Sequence, residues 1–273
     1  MLHNTTAEPL RTMLPSLAAE RREIYEAYLR LHSDVAGAAL RKRPFVAVFI
    51  PLEARRFLFE GLYEVAGSEM HPTREIYSDP AYRVISDTFG DAASDPETNI
   101  ARRDQQEVFD LRRLNVMSDY RGRVVIRSPG GRAYVRVAAT TPLEIVELTE
   151  THQLSAHPPD WREFIVSASF LRELPRSWAD RLSQWRGIYL ITDQSDGARY
   201  VGAAYGSLNL LGRWTAHVKG DHGVTRQLRD RASDNFRFSI LERLSPDAEV
   251  DEVVALERSW MRRLDTVTNG LNS

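Results

Sequence analysis

The chain has 273 residues, a formal net charge of −2, 42% hydrophobic and 27% charged residues, and no cysteine. Such a length leaves room for two domains, and the composition is that of an ordinary globular protein. Without cysteine there is no disulfide, thiolate nucleophile or cysteine-ligated zinc, so any metal must rest on oxygen or imidazole ligands.

The segment Pro15 to His32 reads as a helix, with Leu17, Ile24, Tyr25 and Leu29 recurring at roughly helical spacing. Phe45–Ile50 and the aromatic-rich Phe57–Val65 have strand length and composition. From Ser68 to Asn99 the Pro, Asp, Ser and Gly content predicts loops around short elements. Arg102-Arg103 and Arg112-Arg113 flank an expected helix through Gln105-Gln106-Glu107, where interleaved acids fit a solvated face as well as a phosphate contact. Val124–Ile126, Tyr134–Val137 and Ile145–Leu148, separated by Ser128-Pro129-Gly130-Gly131 and Pro142, form a meander that suggests a small antiparallel sheet or barrel. Such a barrel would suit reading of nucleic acid or a modified base, but a plain sheet core uses the same aromatics.

Helical stretches are expected at Trp161–Leu171 and Pro175–Trp185, with the domain boundary between about Ser155 and Leu182. In the last third, Gly187–Thr192 and Arg199–Ala203 read as a hairpin around Asp196-Gly197. Leu208, Leu211, Thr215 and Val218 make a helical stripe, and Arg213 and His217, four apart, share another face of that helix. Phe236, Phe238 and Ile240 alternate as a third strand. In the final helix Val250, Val253, Val254, Trp260, Met261 and Leu264 form the expected buried stripe, and Glu257 falls within it. A carboxylate there needs a cation, either a metal or an arginine such as Arg213 or Arg243.

Six positions now stand in order: Gly187-Ile188-Tyr189, Tyr200-Val201-Gly202, Arg213, His217, Glu257 and Asn272. The segment from about Ser183 to Ser273 therefore resembles the GIY-YIG nuclease family, with valine in place of isoleucine in the second motif. The fold expected is α+β: the small three-stranded antiparallel sheet flanked by helices that the resemblance implies follows an N-terminal domain, residues 1–175, read from its own residues as mixed α/β and resembling no family. It implies Tyr189, Tyr200, Arg213, His217, Glu257 and Asn272 as catalytic residues, with Asn269 as the alternative to Asn272. Glu257 would hold one Mg²⁺, for which Mn²⁺ could substitute, and Tyr189 would take or position the proton of the attacking water. Tyrosine is an unusual base, because ionising a group of pKa near 10 at pH 7 costs roughly 4 kcal/mol; His217 is the alternative.

The substrate implied is DNA, with RNA an alternative, and the leading role is restriction or phage defence, with the first domain choosing the site. Repair or structure-specific cleavage, and a non-catalytic binding module, are the rival readings. One metal per site cuts one strand, so double-strand cleavage would favour a homodimer. The balance of charge argues mildly against a protein that coats nucleic acid. Lysine occurs only at positions 42 and 219, neither of them two residues past an acid, which disfavours nucleases built on Glu-x-Lys. His3, His32, His71, His152 and His157 lack ligand-like spacing, and His222 reads as a loop residue. No stretch reaches the ~18 apolar residues of a membrane span, and Met1-Leu2-His3-Asn4 lacks the features of a secretory signal. A cytoplasmic protein without membrane contact is the expectation.

Overall fold

The computed structural model describes residues 1–2, 8–52, 55–89, 96–131, 133–154, 158, 160–220 and 226–272. His3, His157 and His222 lie outside them. Its contacts divide the chain into Met1–Ala156 and His157–Ser273. Residues 157–175, expected with the first domain, therefore belong to the second unit.

The first unit opens with helices α1 (Glu8–Glu20), α2 (Arg22–Leu29) and α3 (Asp34–Leu40). The single helix expected from Pro15 to His32 is thus divided at Arg21, whose φ of −127° and ψ of 62° leave the helical region. Strands β1 (Phe45–Pro51) and β2 (Arg56–Pro72) follow, then helices α4 (Thr73–Ser78), α5 (Pro80–Phe89) and α6 (Pro96–Arg102). Strands β3 (Gln105–Arg113), β4 (Val124–Arg127) and β5 (Ile145–Leu148) complete the unit.

All pairings are antiparallel, in the order β1-β2-β4-β5 with β3 also on β2. Since β1 and β5 do not pair among the described residues, the sheet is open rather than a barrel. The 17-residue β2 organises it, pairing with β4 through Arg56–Leu58 and with β3 from Tyr63 to Pro72. Between these partners stands Glu60, fully buried. Arg121 fills the gap: its Nε reaches Glu60 O at 3.0 Å and its Nη2 the Glu60 carboxylate at 3.0 Å. Tyr63 donates to the other carboxylate oxygen at 2.6 Å, and Arg113 lies 3.6 Å away.

Two local expectations fail here. Residues 105–107 are strand rather than helix, because the extension of β2 past Val65 supplies a partner that no local signal announces. Arg103 pairs with Asp34, while Arg112 and Arg113 stand in that strand. Tyr134–Val137 forms no strand; Leu2 N–H instead bonds Tyr134 O at 2.8 Å.

The second unit contains β6 (Ile165–Ser167), α7 (Ala168–Arg172), α8 (Arg176–Gln184), β7 (Arg186–Asp193) and β8 (Arg199–Ala204). Helices α9 (Asn209–Lys219) and α10 (Arg226–Arg229), strand β9 (Phe236–Leu244) and helix α11 (Val250–Arg263) follow. Its sheet runs β6-β9-β7-β8, all antiparallel, so the three expected strands gain a short fourth at the β9 edge. That strand lies inside the helix expected at 161–171, which starts only at Ala168, where Ser167 Oγ accepts the Phe170 N–H at 3.1 Å.

Alternation along β7 divides the sheet between two helices. Tyr189 and Ile191 share one face with Gly202, Tyr200, Ile240 and Phe238, their cross-strand partners. Helix α9 covers this face, with the Trp214 and Phe238 rings 5.3 Å apart. On the opposite face Ile188, Val201 and Ala203 pack against Val253 of α11. Among the described residues no helix is long and apolar enough to cross a membrane.

Candidate active site

Tyr189 of β7 and Tyr200 of β8 stand on the α9 face with ring centroids 6.5 Å apart. The buried face of α9 consists of Leu210, Trp214 and His217, not the expected stripe, and Leu208 is exposed. His217 thus points into the sheet. Its Nε2 lies 2.6 Å from Tyr189 Oη, and its ring sits 5.5 Å from that of Tyr200. One turn earlier, half-buried Arg213 lies close to both phenols, and its charge acts on each.

Burial dominates the electrostatics. It drives the Tyr189 phenol well above its usual range, reinforced by Tyr200 and opposed by Arg213. Tyr200 shifts upward too, through burial and then Glu257. His217 is pushed down to about 3, first by burial and then by Arg213. A neutral imidazole therefore faces a protonated phenol. With the phenol donating to Nε2, the ring proton sits on Nδ1, a buried nitrogen with no hydrogen-bond partner among the described residues.

Glu257 arrives from the other side of the sheet. It flanks the apolar stripe of α11, which runs through Val253, Leu256, Trp260 and Leu264, while Val250 is exposed. Its carboxylate lies near the Ala203 amide at the β8 edge. Burial raises its pKa, and the Ala203 amide and Arg213 act against that rise. No ion pair to Glu257 forms among the described residues, so neither Arg213 nor Arg243 holds it as a salt bridge.

Asn272 is buried at the same edge. It accepts the Val201 N–H on Oδ1 at 2.9 Å and donates Nδ2–H to Val201 O at 2.8 Å. Asn269 is exposed and bonds Asp265 instead. All six expected residues thus gather around β8, with Tyr189, Tyr200, Arg213 and His217 in one cluster and Glu257 and Asn272 along the strand edge.

Two contributors escaped the sequence reading. Trp214 packs its ring 6.2 Å from Tyr189; its signal was its position, three residues before His217 on the same helical face. The Ala203 amide near Glu257 is a backbone group, for which no side chain gives a signal.

A model of the GIY-YIG catalytic domain matches residues 186–272. Among solved structures, a mutant of the catalytic domain of intron endonuclease I-TevI is 27% identical, covering 32% of this chain and 92% of that one with a TM-score of 0.27. The catalytic domain of homing endonuclease I-TevI is 29% identical, covering 32% and 96%, also with a TM-score of 0.27. No curated protein matches the chain. With its signature tyrosines, arginine, histidine, glutamate and asparagine gathered at one strand, the segment 186–272 is a GIY-YIG catalytic domain.

Proposed function

We propose that this protein is a metal-dependent DNA endonuclease of restriction or phage-defence type, in which the first unit selects the target and the second cuts it. The observation that carries the hydrolytic part is the contact between Tyr189 Oη and His217 Nε2, 2.6 Å long and buried. It supports a proton path: the attacking water gives its proton to Tyr189 Oη as Tyr189 passes its own to His217 Nε2. That path avoids a free phenolate, which burial opposes. Arg213, beside both phenols, offers planar paired donors to the non-bridging phosphate oxygens. Its charge also helps hold His217 neutral, so a phosphodiester bound to Arg213 favours the imidazolium that the transfer creates.

Glu257 suits magnesium, or manganese in its place. It is half-buried, without an ion pair among the described residues, and alone: no three His, Asp or Glu side chains gather there as a metal cage. Magnesium keeps most of its waters and takes one or two carboxylates. Bound there, the ion supplies charge neutralisation at the phosphate and at the leaving oxygen.

The restriction reading draws support from the separate core of the first unit. Plasmid DNA with Mg²⁺ and purified protein tests the whole proposal, wild type beside Glu257→Ala. Discrete, metal-dependent fragments lost in the variant are expected. A smear would remove site selection, and undiminished cleavage by Glu257→Ala would overturn the metal role.

A further inference from the structure

In the first unit, α2, α4, α5 and the sheet enclose a cavity of about 250 Å³. Its walls are fixed before any ligand arrives. The Phe109 N–H donates to Arg30 O at 3.1 Å, and Leu31 bridges Val108, which ties the end of α2 to β3. Asp79 Oδ1 accepts the Ala81 N–H at 2.8 Å and the Tyr82 N–H at 3.3 Å, which sets the corner between α4 and α5. Tyr82 is buried, its ring edge-on to that of Tyr77 with centroids 5.0 Å apart. A preformed cleft with an apolar body and a few convergent polar groups is the usual form of a ligand site.

The apolar body comes from Leu31, Ile76, Val108 and the Tyr82 ring. Arg30, Glu75 and Asp79 bring charges of both signs to the same cavity, and they are not spent on one another. Among the described residues the Arg30 and Glu75 side chains have no partner, and Asp79 engages only Oδ1. No three His, Asp or Glu side chains among those residues stand close enough to share a metal. The carboxylates are acceptors for N–H groups, while Arg30 and the neighbouring His71 are donors.

A nucleobase meets these demands, with flat apolar faces and a perimeter on which N–H donors adjoin a carbonyl. Guanine has the best edge. Its N1–H and N2–H lie side by side for a carboxylate, and its O6 and N7 suit a guanidinium. Thymine offers a single N–H between two carbonyls. The cavity is smaller than the ~300–1,000 Å³ of drug-sized ligands, which suits one base rather than a base pair.

We propose that this cavity receives one guanine base turned out of a nucleic-acid strand, giving the first unit a means of reading its target. The choice of nucleic acid as the source rests on the nuclease reading above. Turning a base out is least costly where it is already unpaired, so a single strand is the first probe.

Calorimetric titration of the full chain compares deoxyguanosine with thymidine, and oligothymidine carrying a single guanine with plain oligothymidine. In each pair the guanine-bearing probe should bind at least about tenfold more tightly. Glu75→Gln leaves one acceptor oxygen where there were two and should lose both preferences; Glu75 is exposed, so the variant keeps its fold. Ala27→Phe puts a ring into the cavity that Ala27 lines and should abolish nucleoside binding. Arg112, paired with Asp110 and not part of the lining, gives the contrast: Arg112→Gln should keep both preferences.

Equal binding of the two nucleosides overturns the proposal, as do Glu75→Gln and Ala27→Phe proteins that bind like wild type. So does a protein that takes deoxyguanosine but ignores guanine within the strand, since the cavity would then serve a free nucleoside. A wild-type protein that prefers the guanine strand yet cleaves no DNA with Mg²⁺ would instead sink the nuclease reading and leave this site standing.

Discussion

Tyr189 and Gly202 are cross-strand partners, and the Tyr189 phenol occupies the space that a Cβ on residue 202 would need. The Cε1 of Tyr200 would stand 2.8 Å from that same atom. The missing side chain of Gly202 is therefore what lets both phenols lie against the sheet. Gly202→Ala is expected to displace Tyr189 from His217 and lower kcat by about 10²-fold, the usual scale for a misplacement near 1 Å. Full activity in that variant would show that the phenol's present location is not the working one.

Removing the Tyr189 hydroxyl breaks the proton path at its first step. Tyr189→Phe should abolish cleavage, His217→Ala should lower kcat by at least 10²-fold, and the double variant should be little worse than Tyr189→Phe, since groups acting as a unit are non-additive. Single-turnover rates on one substrate decide. Near-wild-type cleavage by Tyr189→Phe would pass the base role to His217.

His217 also ties stability to pH. Its folded pKa of about 3 lies below the ordinary 6.5, so between those values the unfolded chain binds a proton that the folded chain refuses. Stability is thus whole above pH 6.5 and is lost as pH falls from 6.5 toward 3. The loss is on the order of a few kcal/mol. Unfolding free energies at pH 7.5 and 4.5 should fall more steeply for wild type than for His217→Gln. His32, lowered to about 4 by burial, contributes equally to both proteins and cancels.

In the first unit, Glu60 faces Arg121 and Arg113 under cover. Burial raises its carboxyl pKa, and Tyr63 and Arg121 oppose the rise. Glu60→Ala strands two guanidinium groups and should cost about 3–5 kcal/mol in denaturant unfolding. Glu60→Gln, which keeps the Tyr63 contact, should cost less. A neutral Glu60→Ala would mean that water already serves these arginines.

The second unit was readable because its chemistry lies on local patterns. Alternation puts Tyr189 and Tyr200 on one face, and four-residue spacing brings Arg213 and His217 together. Glu257 was recognisable as a carboxylate near an apolar stripe, although the stripe itself had to be moved. What stayed hidden depends on distant partners. Gln105–Glu107 looks helical until β2 is present to pair with it, and β6 has only three residues, too few for any periodicity. Asn272 could be matched to a motif, but its hold on the Val201 backbone is a long-range contact that spacing does not encode.

The edges of the second sheet have a colloidal consequence. Sheets commonly aggregate by adding a foreign strand along an exposed edge. Here one edge is the three-residue β6, too short to template much. On the other, β8, the Arg199 carbonyl and both backbone groups of Val201 are already held by Leu271 and Asn272. These attachments leave this unit little backbone on which a fibril could start.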